Sequence, residues 1–283
     1  MDLGFKDRNV LITGASGSIG RSLCETFAAE GASLILHGHS RFADLEAWVA
    51  SRPWRQQVRL FAADLSKGGA LDAALDAVLV PEERLDVAVA NAGHWPKPAR
   101  ALHEIDDDRW RATLDANLMT SVRTAASIMK RLERLGPDPK ERGASLVFVG
   151  STAGRFGERD HADYAAAKAA LVGLAKTLKN EVTRLDPYAR VNVVEPGWTR
   201  GGLGRSELDS PGVATRIART MALRQLARGE DIARVVLGLS SAVLSRHVSG
   251  EVIAVHGGME GRQLWNDDEI DEAAIRRRLD SNA

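Results

Sequence analysis

The stretch Val10-Leu11-Ile12-Thr13-Gly14-Ala15-Ser16-Gly17-Ser18-Ile19-Gly20 decides the fold of this chain. An apolar run leads directly into a glycine-rich turn, and the apolar positions Leu23 and Phe27 of a helical pattern follow at once. Glycines allow a tight turn and close approach to a pyrophosphate, whose charge the free N–H groups of a helix N-terminus stabilise. The order strand, turn and helix therefore predicts a dinucleotide-phosphate site, with a ligand-free glycine turn as the alternative.

Short runs rich in β-branched residues or leucine recur along the chain and alternate with helical patterns. Seven of them are strand candidates: Val10 to Thr13, Ser33 to His37, Val58 to Ala62, Val87 to Ala90, Leu146 to Val149, Val191 to Val194 and Val252 to Val255. Amphipathic helical patterns lie near residues 18–30, 41–51, 68–79, 106–135, 162–185 and 229–241. This alternation predicts an α/β protein with a three-layer Rossmann fold, in which a seven-stranded, mostly parallel sheet carries helices on both faces.

Two segments break the alternation of strands and helices. The stretch 198–226 is rich in glycine in its first half and has an apolar period only in its second half, which is typical of a mobile lid. The charged tail 260–283, with a helix predicted over about 267–278, is either a solvated appendix or a segment that packs on a neighbouring subunit. We therefore expect one dinucleotide-binding and catalytic domain over residues 1–259, with the lid at about 198–226, followed by the tail.

Composition narrows the class of partner. The 38 basic and 38 acidic residues give a formal net charge of zero, so no electrostatic footprint indicates nucleic acid or a membrane. No apolar run approaches the ~20 residues of a membrane-spanning helix, the first residues do not form a signal peptide, and the histidines lack metal-ligand spacing. The single cysteine, Cys24, lies in an apolar helical pattern that is typical of a buried thiol. We expect a cytoplasmic protein that binds a small molecule and no metal.

With its glycine turn and the motifs below, the chain resembles the short-chain dehydrogenase/reductase family, in its single-domain branch with a YxxxK active site. The family fingerprint T-G-x-x-x-G-x-G falls on residues 13–20, where Ser18 stands at the usual middle glycine and Gly17 comes one place earlier. The likeness extends over about residues 5–259. It implies that Gly14, Ser16, Ser18 and Ile19 bind the phosphates of a nicotinamide cofactor.

The end of the second strand candidate, Leu36-His37-Gly38-His39-Ser40-Arg41, bears on which cofactor is bound. In dinucleotide folds a carboxylate at this place bonds the ribose 2′-hydroxyl of NAD and would repel a 2′-phosphate. Here a glycine stands at that place, and His39, Ser40 and Arg41 follow, of which the hydroxyl and the guanidinium are good phosphate partners. The sequence therefore predicts NADP, with NAD as the alternative, in which case Arg41 only starts a solvated helix.

Further cofactor contacts are implied by the resemblance. Asp64-Leu65 after the third strand candidate would border the adenine, and Asn91-Ala92-Gly93 after the fourth matches the N-A-G element that supports the cofactor pocket. Pro196-Gly197 matches the P-G turn under the nicotinamide. The threonine usual a few residues later is replaced by Gly201, so Thr199, two places earlier, is expected to substitute for it.

The catalytic residues are expected around Tyr164-Ala165-Ala166-Ala167-Lys168. Residues four apart lie on one helix face, and an ammonium beside a phenol lowers the pKa of the phenol, as an acid/base catalyst requires; the alternative is a plain helix-surface pair. The resemblance implies that Ser151 polarises the substrate oxygen, Tyr164 transfers the proton, and Lys168 also holds the nicotinamide ribose. It implies further that Asn117 kinks its helix and holds a water in a proton relay; Thr152 is the competing hydroxyl.

The reaction implied is hydride transfer between nicotinamide C4 and a ketone or secondary alcohol, of the sugar, cyclic alcohol or ketoacyl type. The alternatives are a non-catalytic NADP-binding sensor or scaffold, and an epimerase or dehydratase, on the same fold. Five aromatic or imidazole side chains are candidates for the substrate pocket: His94, Trp95, Phe156, His161 and Trp198. The family resemblance implies a homotetramer or homodimer.

Overall fold

The computed structural model of the chain describes residues 1–201, 210, 212–260 and 262–280. Its seven strands are β1 (Asn9–Ile12), β2 (Ser33–Gly38), β3 (Val58–Ala62), β4 (Val87–Ala90), β5 (Ser145–Val149), β6 (Arg190–Pro196) and β7 (Val252–Val255). They form one sheet in the order β3-β2-β1-β4-β5-β6-β7, and every neighbouring pair is parallel. The predicted α/β class and seven-stranded Rossmann sheet are confirmed.

The helices follow the predicted alternation. They are α1 (Ser18–Ala29), α2 (Phe42–Ala50), α3 (Ala70–Val78), α4 (Asp107–Leu114), α5 (Thr120–Leu135), α6 (Thr152–Phe156), α7 (Ala162–Glu181), α8 (Val213–Ala218), α9 (Gly229–Ser240) and α10 (Glu272–Asp280). Short 3₁₀ turns occupy Arg55–Gln57, Leu102–Glu104, Val182–Arg184 and Asp267–Glu269. A π-helical turn, Asp115–Met119, divides the single helix expected over 106–135 into α4 and α5.

Two apolar cores, one on each face of the sheet, hold the three layers together. Val10 and Ile12 of β1 point to one face, where they pack with Phe27 of α1 and Val236 of α9. Leu11, between them, points to the other face, because successive side chains of a strand alternate. That face also carries buried residues of α3, α5 and α7. Burial on both faces explains why the strands read as continuous apolar runs.

The strand order reverses between β1 and β4. Val10 of β1 is paired with Leu34 of β2 on one side and with Val87 of β4 on the other. In open parallel sheets, the loops diverge at such a switch point and leave a crevice at the carboxyl ends of the strands. The glycine turn after β1 and the segment 91–95 after β4 both begin at this crevice.

The tail packs on its own chain and is not a solvated appendix. Ile270 and Ile275 are buried against Ile217 of α8 and Met221, in a third apolar cluster that belongs to the same chain. Trp265 adds a hydrogen bond from Nε1 to Met221 O at 2.7 Å. The tail therefore packs on the second half of the expected lid, because apolar side chains on the two segments match. Residues 202–209 and 211 of that lid lie outside the described residues.

The tail helix also begins later than expected. A 3₁₀ turn occupies Asp267–Glu269, and α10 starts only at Glu272. Asn266 and Glu269 cap the turn reciprocally: the Asn266 backbone N–H donates to Glu269 Oε2 at 2.9 Å. This capping stabilises the start of the 3₁₀ turn.

Candidate active site

A cleft of about 1030 Å³ opens at the carboxyl ends of the central strands. It is lined by eighteen of the nineteen predicted site residues: Gly14, Ser16, Ser18, Ile19, His39, Ser40, Arg41, Asp64, Leu65, Asn91, Ala92, Gly93, Ser151, Tyr164, Lys168, Pro196, Gly197 and Thr199. Asn117, the remaining one, is fully buried behind the cleft wall. One continuous cleft thus brings together residues that are up to 185 positions apart in the chain, from Gly14 to Thr199.

The glycine turn fits closely under the segment after β4. Gly14 has a φ of +66°, and a Cβ added there would lie 2.8 Å from Ala92 Cα. A Cβ on Gly20 would collide with the carbonyl oxygen of Gly14. Both positions therefore require glycine for a close backbone approach rather than for local flexibility.

Asn91 and Thr13 clip the turn to β4. Asn91 Nδ2 donates to Thr13 O at 3.0 Å and to Gly14 O at 3.1 Å, while the backbone N–H groups of Asn91 and Ala92 donate to Thr13 Oγ1, each at 3.0 Å. These bonds satisfy the carbonyl groups of the turn. The backbone N–H groups of the first turn of α1 have no partner within the helix and are left for the cleft, which is the arrangement that binds an anion.

Ser18 lies at the position where a glycine was expected. It begins α1, and its Oγ is buried with no hydrogen-bond partner among the described residues. Gly201 lies against it: a Cβ added at Gly201 would come within 2.9 Å of Ser18 Cβ. An unsatisfied hydroxyl at a helix N-terminus, in a cleft shaped by required glycines, is the donor set that a phosphate group needs, so the residues present fit a dinucleotide pyrophosphate.

The far end of the cleft is open and carries positive charge. His39, Ser40 and Arg41 are exposed and line it, and a Cβ on Gly17 would lie 3.9 Å from Arg41 Nη2. Asp64 also lines this end, but its Oδ1 accepts from Ser66 Oγ at 2.6 Å and Ser66 N at 3.0 Å. These hydrogen bonds from Ser66 lower the pKa of the Asp64 carboxyl. The carboxylate thus caps its own loop.

Ser151, Tyr164 and Lys168 converge at the other end. Ser151 follows β5 and is the N-cap residue of α6, where its Oγ accepts from Ala153 N at 3.1 Å. Its hydroxyl lies near enough to Tyr164 to lower the pKa of the phenol. Lys168 Nζ donates to Val149 O at 2.9 Å and lies 5.7 Å from the centroid of the Tyr164 ring. Thr152 lines the same wall. Ser151, and not Thr152, acts on the pKa of the phenol, which distinguishes it from this competing hydroxyl.

Burial governs the titration of these groups. It raises the pKa of Tyr164 to about 12, and the hydrogen bond with Ser151 offsets only part of this effect. Burial also lowers the pKa of Lys168 to about 8. The expected lowering of the Tyr164 pKa by the ammonium is therefore absent from the free chain, because desolvation of the phenolate outweighs it. At neutral pH the phenol is protonated and can donate.

Asn117 is placed in the π-helical turn Asp115–Met119, where the sequence predicts a kink. A Cβ on Gly93 would lie 2.9 Å from Asn117 Oδ1 and 3.4 Å from Lys168 Nζ. Both polar groups thus face the same point beside Gly93. The Asn117 amide also bonds the backbone of His94, so it connects the helix to the segment that follows β4.

Asp163 is a buried group that the sequence analysis missed. It immediately precedes Tyr164, is 0% exposed, and accepts from Arg109 Nε at 3.0 Å and Thr113 Oγ1 at 2.8 Å. Burial opposes its ionisation, but these hydrogen bonds outweigh it and hold the pKa below its usual range. Arg109 also donates to Pro98 O at 2.5 Å. The start of α7 is thereby tied to α4 and to the 94–100 loop; the signal was an acidic residue at a helix start.

The nicotinamide end expected at Pro196-Gly197 is narrow. A Cβ on Gly197 would lie 2.7 Å from His256 Cβ, so no side chain fits there. Thr199 lines the cleft, and its Oγ1 donates to Gly197 O at 2.9 Å. In the free chain, this hydroxyl stabilises the P-G turn that it follows.

Of the candidate substrate-pocket residues, His94, Trp95 and Trp198 line the cleft, whereas His161 and Phe156 do not. Trp95 lies edge to face with Tyr164 at 4.8 Å between ring centroids, and His161 packs behind it at 4.1 Å. Phe156 instead lies 5.9 Å from the His256 ring. Glu158, which the sequence analysis did not consider, also lines this wall.

Membrane-spanning helices and clusters of metal-binding side chains are both absent from residues 1–201, 210, 212–260 and 262–280. No helix in these ranges is both long enough and apolar enough to cross a membrane. The same ranges contain no group of three or more histidine, cysteine or acidic side chains placed to hold a metal ion.

The sheet topology and the cleft define a Rossmann-type oxidoreductase. The family model for short chain dehydrogenases matches residues 8–210, and the chain belongs to that family. Its oxidoreductases act on CH–OH groups with NAD(P), and this chain is an oxidoreductase of that family.

Individual relatives share less than a third of their residues with this chain. A 3-oxoacyl-[acyl-carrier-protein] reductase of Escherichia coli is 28% identical over 91% of this chain and 99% of its own length. A putative ketoacyl reductase of granaticin polyketide synthesis from Streptomyces violaceoruber is 31% identical over 88% and 94%. A crystal structure from Brucella melitensis, titled a glucose/ribitol dehydrogenase of the family, has a TM-score of 0.76 at 29% identity and covers 92% and 99% of the two chains.

Proposed function

We propose that the chain is an NADP-dependent reductase of a ketone, with the secondary alcohol as product. The observation that carries this proposal is the convergence of Ser151, Tyr164 and Lys168 at the inner end of the cleft that the glycine turn opens. When a carbonyl oxygen becomes an alkoxide, it is stabilised by hydrogen-bond donors, a proton donor and a positive charge. The hydroxyl, the protonated phenol and the ammonium supply these around one point.

The cofactor would lie along the cleft from the glycine turn to the P-G turn. Its phosphates would meet Gly14, Ser16, Ser18 and Ile19, and its adenine would meet Asp64 and Leu65. The segment Asn91-Ala92-Gly93 would lie under the middle of the cofactor. Tyr164 and Lys168 would hold the nicotinamide ribose. Pro196, Gly197 and Thr199 would support the nicotinamide.

The preference for NADP over NAD is supported by the open end of the cleft. Arg41, Ser40 and His39 face the place of the adenosine ribose, and Gly38 gives β2 no terminal carboxylate. Asp64 is the carboxylate that also lines this end, and it is engaged by Ser66. A 2′-phosphate would therefore meet donors and positive charge, whereas a free 2′-hydroxyl would find no carboxylate at the end of β2.

The chemistry that the cofactor supplies when bound is transfer of a hydride at nicotinamide C4. Ser151 donates a hydrogen bond to the substrate oxygen and polarises the carbonyl. The Tyr164 phenol, protonated because burial raises its pKa to about 12, gives its proton to that oxygen as negative charge develops. The positive charge of Lys168 stabilises the phenolate that remains. The protonated phenol is the form that reduction uses, whereas oxidation of an alcohol needs the phenolate first.

The substrate class is proposed as a sugar, a cyclic alcohol or a ketoacyl group. Relatives named for 3-oxoacyl and ketoacyl reduction support the last, and the structure titled a glucose/ribitol dehydrogenase supports the first. The Trp95 and Trp198 rings at the substrate end suit an apolar face of any of the three. A cytoplasmic homotetramer or homodimer completes the proposal, and native mass measurement tests the assembly.

Titration of NADPH and NADH by tryptophan fluorescence tests the proposal without knowledge of the substrate, since six tryptophans can report. We expect both to bind, with NADPH tighter, and a ketone screen with NADPH to give net oxidation of the cofactor. Tighter binding of NADH would overturn the choice of NADP. Absence of binding for either would overturn the proposed function.

A further inference from the structure

His37 is a histidine inside the apolar strand β2, and it is only 3% exposed. Its Nδ1 accepts a hydrogen bond from the backbone N–H of Gly14 at 3.1 Å. Its Nε2 lies 2.9 Å from the carbonyl oxygen of Ala63. The ring therefore connects the glycine turn after β1 to the segment after β3, where Asp64 and Leu65 follow.

The two partners fix the protonation of the ring. A backbone N–H can only donate and a carbonyl can only accept, so Nδ1 must be bare and Nε2 must carry the proton. The ring is therefore neutral in this arrangement. Burial lowers the pKa of His37 to about 4, which agrees with a neutral ring at physiological pH.

His37 also accepts a hydrogen bond from the next backbone N–H of the turn, that of Ala15. Its own carbonyl accepts from Ala15 N at 2.9 Å, so the ring and the backbone of one residue take up the N–H groups of Gly14 and Ala15. Gly17 N donates to Gly14 O at 3.2 Å. An anion at the turn is thereby directed to the N-terminus of α1, where Ser18 begins the helix.

We propose that His37 is a positioning residue for the cofactor: its neutral ring locks the phosphate-binding turn and the adenine-binding loop into one arrangement. This inference rests on the proposed use of a nicotinamide cofactor. His37 itself lines the cleft wall without being needed as a ligand. Its effect on binding is exerted through Gly14 and Ala63, and it therefore concerns the adenosine diphosphate part that NADP and NAD share.

Two substitutions separate the link to Gly14 from the volume of the ring. His37→Asn places an amide oxygen near the position of Nδ1 and keeps an acceptor for the Gly14 N–H. His37→Leu leaves that partly buried donor without its acceptor. We expect His37→Leu to weaken NADPH and NADH equally, by about tenfold, with kcat for reduction changed far less than KM for the cofactor. His37→Asn should stay within about threefold of the wild type. His247→Leu, at an exposed histidine, is the control.

The tautomer is measured on the unsubstituted protein, by ¹⁵N NMR of histidine-labelled, cofactor-free chain at neutral pH. A neutral ring protonated at Nε2 is expected for His37, and a ring protonated at Nδ1 or at both nitrogens would overturn the inference even if the leucine variant does not fold. Cofactor binding by His37→Leu at wild-type strength, or an asparagine variant as weak as the leucine one, would also overturn it. Failure of the wild type to bind either cofactor is a different result, because it removes the proposed function while the NMR measurement still reads the ring.

Discussion

Asn117 holds the main chain of His94 from both sides: its Nδ2 donates to His94 O at 2.9 Å, and its Oδ1 accepts from His94 N at 3.0 Å. A third bond runs from Nδ2 to Thr113 O at 3.1 Å. The residue expected to support a proton relay is therefore also a structural clamp on the segment that leads to Trp95. Its substitution should affect folding as well as catalysis.

Asn117→Ala should lower the free energy of unfolding by about 1–3 kcal/mol, because it removes a fully buried side chain that makes three hydrogen bonds, to both backbone groups of His94 and to Thr113 O. Asn180→Ala is a matched control, since Asn180 is an exposed helical asparagine whose Nδ2 also bonds a carbonyl four residues earlier, at 3.2 Å. It should change stability by less than about 0.5 kcal/mol. Urea denaturation measures both, and equal values would contradict the clamp.

Tyr164→Phe should abolish turnover while NADPH binding stays near normal. The substitution removes the proton donor but keeps the ring that packs against Trp95, and loss of an acid/base catalyst costs about 10²–10⁴ in rate. Tyr188→Phe provides the control, because Tyr188 is the other tyrosine of the chain and lies on the surface beneath Arg246. A Tyr164→Phe variant with a rate near that of the wild type would contradict the assignment.

The raised pKa of Tyr164 predicts opposite pH responses for the two directions. Below about pH 12 the phenol is mainly protonated, so the phenolate fraction rises tenfold for each pH unit. With the chemical step limiting, alcohol oxidation should accelerate steadily from pH 7 to pH 10, whereas ketone reduction should stay nearly constant up to pH 8. The rates of alcohol oxidation and of ketone reduction, each measured with saturating cofactor, test this. A plateau for oxidation near pH 7 would mean that the bound cofactor lowers the phenol pKa.

Arg41→Ala should weaken NADPH much more than NADH. A charge-assisted hydrogen bond to a phosphate contributes about 1.5–3 kcal/mol, which corresponds to roughly ten- to hundredfold in Kd. Arg55→Ala, at an exposed arginine near the end of α2 and outside the cleft lining, should leave both values unchanged. Fluorescence titration measures the four constants, and equal losses for the two cofactors would remove the argument for NADP.

Truncation after Met259 should destabilise the second half of the lid, since it uncovers Ile217, Met221 and Leu226. The milder variant Ile275→Ala removes one buried side chain, 1% exposed, and should cost about 2 kcal/mol. Arg277→Ala, on the exposed side of the same helix, should cost nearly nothing. We expect KM for the ketone to rise while the Kd of NADPH hardly changes. Unchanged kinetics and unchanged native mass after truncation would leave the tail without a role at the site.

The parallel sheet with its seven strands and the cleft lining could be predicted because each rests on local sequence patterns. Alternation of apolar runs with helical periods identifies the strands, and parallel strands bring their carboxyl ends, with Asn91 and Ser151, to one edge. The π-helical turn around Asn117 could not be derived from periodicity, since one added residue in a helical turn changes the pattern too little. It entered only as an implication of the family likeness.

Contacts between residues far apart in the chain explain the remaining differences between the sequence-based expectations and the structure. The Asp163–Arg109 ion pair joins residues 54 positions apart, and the contact of Ile275 with α8 depends on two surfaces that match only in three dimensions. Burial also reversed the expected shift of the Tyr164 pKa, because the sequence places Lys168 nearby but does not reveal how little water reaches the phenol.

Cys24 is fully buried in α1, and burial raises its thiol pKa far above the ordinary value. Maleimides and other alkylating reagents react with the thiolate, so they should not modify Cys24, the only cysteine of the native chain. A cysteine introduced on the surface would therefore be the single labelling position without removal of the natural one. Two introduced cysteines, one on α8 and one on α10, could then carry a pair of dyes or of spin labels. Such a pair would report directly on the distance between lid and tail.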